Sequence, residues 1–299
     1  MLRALNIGLR SALAHWPSAV VLFAAVTIPA GLVGYVFQTS FVGAFGRSAA
    51  LESLSEGWVY TTLLDLVTQN GYQLSPVLVM SAAFLVLSLP LQSFLTAGML
   101  SALNEHGPWS SRAFFAGAAR HVGGFLLVSV LTVALVLLIG VLTAGAAGLV
   151  VMEAEQASSP GVLAVLAIGL ILIAAVVTLG DVARIHLVHD PERGVLGSIL
   201  GAGAFLLRHA GGTSGLVAVL AFASVLPLAG VVVFEDTVPA AVGRWLVPLV
   251  VVQQATVFLR SWMRVLAFAS LSSYVRAAYG MLRRGEPLPA PSPYITRGV

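Results

Sequence analysis

The chain has 299 residues, 59% of them hydrophobic and 9% charged, with a mean hydropathy of +0.98. A soluble domain carries about 25% charged residues, so water is excluded as the solvent of most of these side chains. Cysteine is absent, which excludes disulfides, thiol catalysis and cysteine metal sites; the net charge of +3 is scattered, which excludes a nucleic-acid interface.

A hydrocarbon core about 30 Å thick takes about 20 apolar residues in a helix. Six runs meet that length: Pro17–Phe37, Pro76–Leu103, Val122–Met152, Gly161–Val188, Gly215–Phe234 and Trp245–Leu271. They are too long for strands and lack the in-out alternation of a membrane barrel. The expected fold is therefore all-α, a polytopic transmembrane helical bundle of six spans filling a single domain over 1–285. Arg3 and Arg10 precede the first run like a signal leader. That run is longer than a signal core and no clear small-residue cleavage site follows, so an uncleaved first helix is expected.

Orientation follows from arginine placement. All 15 basic residues are arginine. GC-rich codon usage accounts for such a set; anionic-lipid contact, where each basic group gains about 1 kcal/mol, is the functional reading. With the N-terminus inside, 13 of the 15 arginines fall on the inner side, and only Arg47 and Arg244 fall outside. All six histidines also fall inside. The expected location is the cell (inner or plasma) membrane, with both termini cytoplasmic.

The long outer segment Gln38–Ser75 holds an amphipathic stretch at about 50–67, carrying Leu51, Leu54, Trp58, Leu63 and Leu66 against Glu52, Glu56 and Asp65. It reads as a helix lying on the outer leaflet, or as a lid over a pore. The outer loops near Glu153–Pro160 and Glu235–Arg244 are short and acidic. At the C-terminus, 286–299 alternates prolines, which favours extended chain without a core. A disordered cytoplasmic tail is expected there, with a docking peptide for a proline-binding module as the alternative.

Three copies of one pattern follow each other, over about 1–104, 105–193 and 194–285. Each opens with a short amphipathic stretch ending at His15, His121 or His209, then enters an apolar run broken by small residues or proline, as at Pro29 and Pro227. The unit reads as a cytoplasmic interfacial helix, a helix going out and a helix coming back. Two spans per copy make the repeats parallel, unlike the inverted repeats of many transporters. Alternatively, arginine and histidine simply collect at inner helix ends. Gly197 and Gly201 make a weak small-residue dimerisation pattern.

Polar residues inside spans are expensive and face protein or water. Gln253, Thr256, Arg260 and Arg264 share one face of the last run; Ser81, Ser88, Gln92 and Thr96 share one face of the second. Asp181 and Arg184 are three apart and so adjacent on the fourth. At about 1.5 Å per residue, Gln92, Asp181, Arg184, Arg260 and Arg264 all reach the inner leaflet. Packed around a common axis, they place one carboxylate against three guanidiniums. The cluster reads as a structural ion pair with spare arginines reaching headgroups, or as a basic pocket for an anionic lipid headgroup or small anion. His186 and His189 are three apart beside Asp190, in what reads as an exposed inner loop. Without further ligands they make no metal site, and no catalytic constellation or phosphate-cradling glycine motif is present.

The layout resembles uncharacterised six-span bacterial integral membrane proteins. The stretches Asp181-Val182-Ala183-Arg184-Ile185 and Gly201-Ala202-Gly203-Ala204-Phe205-Leu206-Leu207-Arg208-His209 are also similar to the membrane domain associated with glycerophosphodiester phosphodiesterases. The resemblance covers the span region and not the hydrolase part, so it implies a membrane-embedded, lipid-associated module and carries no catalytic role. The expected function is non-enzymatic: a membrane scaffold or subunit, or a lipid-associated module. A transporter of a small or amphipathic anion, lined by Gln92, Asp181, Arg260 and Arg264, is the rival, and a lipid-modifying enzyme the third reading. The partners implied are membrane lipids, anionic ones included, with a membrane-protein partner or a second copy. No cofactor, metal or nucleic acid is implied.

Overall fold

The computed structural model describes residues 2–45, 71–105, 108–154, 160–237 and 246–279. The helix expected over 50–67 and the tail 286–299 lie outside these residues. The described chain is helical, with no strand. Its elements are α1 (Leu2–Ala14), α2 (Trp16–Phe45), α3 (Gly71–Asn104), α4 (Ser111–Ala154), α5 (Pro160–His189), a 3₁₀ turn (Pro191–Arg193), α6 (Gly194–Arg208), α7 (Ala210–Thr237) and α8 (Leu246–Ala278).

Among the described residues, five segments are long and apolar enough to cross a membrane: Trp16–Val36, Val79–Asn104, Ser111–Val151, Pro160–His189 and Ala210–Val233. Helix α8 is as long as the others at 33 residues. It is not among the five, and it carries Gln253, Gln254, Arg260 and Arg264 along its length. Along α4 and α5, leucines such as Leu137, Leu142, Leu163 and Leu170 are more than half exposed. An apolar surface that continuous is stable only against an apolar medium.

Two compact units can be distinguished, one of Met1–Val21 with Gln92–Val299, the other of Leu22–Leu91. The smaller holds the C-terminal part of α2 and the N-terminal part of α3. In the larger, α4 and α5 run antiparallel in fixed register. A Cβ on Gly169 would meet Thr143, and one on Gly180 would meet Thr132. The two contacts are eleven residues apart on each helix, close to three full turns, so they recur on the same face. Without a hydrophobic drive between helices in lipid, such small-residue contacts let backbones approach closely. Gly98 against Phe114 and Gly117 against Ser101 do the same between α3 and α4.

The amphipathic leaders form as separate helices in two of three places. The chain breaks at His15, between α1 and α2, and at His209, between α6 and α7. At each break the imidazole Nδ1 donates to the carbonyl four residues back, Ser11 O at 2.9 Å and Phe205 O at 3.3 Å. No such break occurs at His121, where α4 runs straight through. Its start is set earlier: the Ser110 hydroxyl accepts from Ala113 N–H, an N-cap, and Phe114 is fully buried in the first turn. The expected small-residue breaks do not interrupt the helices either. Both α2 and α7 continue through Pro29 and Pro227, since a proline forfeits one hydrogen bond and its neighbours keep theirs.

Helix α1 has three faces. Ala4, Gly8 and Ala12, one turn apart, are buried against α8. Leu2, Leu9 and Leu13 fall together on a second side and are 40–76% exposed. Arg3, Asn6 and Arg10 make the third. One polar face beside one exposed apolar face is the pattern of a helix lying in a membrane interface. In α6, Ser198, Ala202 and Phe205 are buried, while Leu196, Leu200 and Leu207 point the other way, exposed.

Candidate functional site: a polar knot and an adjoining arginine cluster

Four helices bring polar side chains together in the larger unit. On α5, Arg184 Nη1 donates to Asp181 Oδ1 at 2.5 Å, the neighbouring positions three apart that the sequence places on one face. The Arg184 side chain is only 11% exposed. Its Nη2 reaches across to Ser129 Oγ on α4, at 3.1 Å. The Ser129 hydroxyl donates to its own Phe125 carbonyl at 2.8 Å, which leaves its lone pairs to accept from the guanidinium. Ser93 Oγ of α3 lies 2.9 Å from Ser129 Oγ.

On the adjoining face of α3, Arg264 of α8 donates to Gln92 Oε1 at 3.3 Å and to Thr96 Oγ1 at 3.2 Å. The Thr96 hydroxyl itself donates to the Gln92 carbonyl at 2.6 Å. Arg264 is thus held by neutral acceptors, while its charge attracts the Asp181 carboxylate through space. Of the five residues expected to converge, Gln92 with Arg264 and Asp181 with Arg184 form two bonded pairs joined through adjacent turns of α3. Arg260 lies exposed outside this bonded set, near enough for its charge to repel Arg264. The knot therefore holds two guanidiniums against one carboxylate.

Ser93, Ser129 and Thr96 complete it. Sequence reasoning put Thr96 on the Gln92 face but passed over the two serines. Hydroxyls in apolar helices usually bond their own turn, as Thr132, Thr178 and Ser224 do here. Nothing in the sequence separates Ser129, which does both, from those.

A second cluster was missed. His186 and His189 are on the last turn of α5 rather than in an exposed loop, and His186 is buried. The His186 ring sits 6.3 Å from Phe205 and 5.8 Å from Tyr279. A Cβ on Gly201 would come within 3.1 Å of its Nδ1, so this small residue serves the approach of α6 to α5. His189 Nδ1 donates to Ile185 O at 2.8 Å. Its Nε2 is then the acceptor for Arg276 Nε of α8 at 2.9 Å, which fixes a neutral ring protonated on Nδ1. Arg276 Nη2 also donates to Asn104 Oδ1 at the end of α3. Burial pulls the Arg276 guanidinium below its ordinary value, yet a guanidinium stays protonated. Among the described residues, no group of three or more His, Asp or Glu side chains gathers as metal ligands.

These features define a helical protein with, among the described residues, five helices long and apolar enough to span a membrane and an arginine-rich polar network that joins some of them to α8. Comparison with known proteins finds no matching family model, no matching curated protein and no matching solved structure.

Proposed function

We propose that this chain is a non-enzymatic integral membrane protein of the cell membrane, a lipid-associated module or scaffold whose inner-leaflet arginines hold an anionic headgroup. In this reading α8 is the sixth span, both termini are cytoplasmic, and three parallel repeats build the bundle. One observation carries it: Arg264 is oriented by Gln92 Oε1 and Thr96 Oγ1, while the one carboxylate of the knot is engaged by Arg184. The surplus positive charge calls for an anion, and at inner-leaflet depth the abundant anion is a lipid headgroup. The resemblance to a phosphodiesterase-associated membrane domain points the same way. Exposed Arg260 adds charge at the rim.

Lipid mass spectrometry of the purified protein tests this. Arg264→Gln should strip most co-purified anionic lipid relative to wild type, and Arg260→Gln a smaller share, because a long-range rim charge is worth about 1 kcal/mol. Unchanged anionic-lipid retention in the double variant would refute the reading. Orientation has its own test, and the absence of cysteine makes it clean. Leu2→Cys and Tyr279→Cys, both exposed, should react with an impermeant thiol reagent only from the cytoplasmic side. Labelling of the two positions from opposite sides would remove the six-span topology.

A further inference from the structure

A cavity of ≈ 380 Å³ lies between α1, the end of α3 and the C-terminal half of α8. That volume is at the lower end of small-ligand sites, roughly 300–1,000 Å³. Its polar lining includes Arg10 and Ser11 from α1, Glu105 after α3, and Ser272 and Arg276 from α8. None of these belongs to the knot around Arg264.

The two arginines are unequal partners. Arg276 is pre-aimed: its Nε is fixed on His189 and its Nη2 on Asn104, so a ligand meets a guanidinium that has already lost its side-chain freedom. Arg10 is exposed on α1, free to close over a ligand from the opposite wall. Two planar donor forks facing one space match the oxygens of a phosphate better than any neutral ligand. Glu105 on the same lining limits the charge: two guanidiniums against one carboxylate suit a single negative charge, and a dianion would meet the carboxylate as well. Ser11 and Ser272 supply hydroxyls for ester oxygens. At 100° per residue, Ile7 and Ser11 on the cavity side of α1 lie opposite Leu2, Leu9 and Leu13.

We propose that this cavity is a phosphodiester site, with the phosphate clamped between Arg10 and Arg276. The diester belongs either to a lipid headgroup or to a water-soluble molecule. The full chain in detergent, titrated with dimethyl phosphate or with short-chain phosphatidylglycerol against a chloride control, distinguishes the two by thermal shift and native mass spectrometry. Saturable stabilisation by dimethyl phosphate alone identifies a soluble ligand. Stabilisation by the lipid alone identifies a headgroup, and stabilisation by both identifies a site that reads only the phosphodiester. In each case Arg10→Gln, a change at an exposed position, should weaken binding about tenfold, with Gly123→Ala, at a position with nothing within 4 Å, leaving it unchanged. Failure of both probes to exceed chloride, or wild-type affinity in Arg10→Gln, overturns the proposal.

Discussion

Asp181→Ala should destabilise the protein by about 2–3 kcal/mol, less than the roughly 3–5 kcal/mol of a fully buried ion pair, because the Asp181 side chain is 29% exposed. The loss comes less from the missing attraction than from what remains. Arg184, whose side chain is 11% exposed, would keep its charge with only the Ser129 hydroxyl to meet it. The same reasoning predicts a rescue. Adding Arg184→Leu to Asp181→Ala removes the orphaned charge, and an apolar replacement of a buried pair is often neutral or better. Thermal unfolding in detergent should therefore rank wild type and the double variant close together, with Asp181→Ala well below both. A single variant that melts with wild type would show that Arg184 does not depend on Asp181.

The second large effect belongs to Gly8→Ala. A Cβ there would sit 2.6 Å from the Cα and 2.7 Å from the backbone nitrogen of Ser270. Backbone cannot rotate out of the way as a side chain can, so α1 must lift from α8. Overpacking of this kind costs about 1–3 kcal/mol, which corresponds to amide exchange faster by about 5- to 150-fold through Leu2–Ala14. Gly123→Ala, which meets nothing within 4 Å, is the matched control. Equal protection of α1 in both variants would mean that the contact at Gly8 does not hold the helix down. Lifting α1 would also open the cavity beside Arg10, so phosphodiester binding should fall with the same substitution.

Much of this fold was legible because lipid simplifies the code. Where burial needs only apolar length, runs of leucine and valine mark helices by themselves. The expected Gly161–Val188 is close to the observed Pro160–His189. Asp181 and Arg184 were legible for the same reason, since three residues along one helix fixes adjacency. What sequence did not reveal depends on pairs distant along the chain. Arg276 meets Asn104 across 172 positions, and neither residue type announces the other. Glycine contacts such as Gly8 on Ser270 carry little signal, because glycine is common throughout the chain. The continuity of α4 through His121 was hidden by pattern. An amphipathic stretch ending in histidine before an apolar run reads alike in all three places, while Phe114 and Gly117 of the middle one pack on α3 and α4 runs through.

That continuity has a mechanical consequence. At 1.5 Å per residue, 44 helical residues make a rod about 66 Å long, roughly twice the hydrocarbon thickness. It has no joint, whereas α1 and α6 are each hinged to the helix that follows. A tilt imposed at one tip of α4 must appear at the other, and the Ser129 clasp to Arg184 sits between them like a fulcrum.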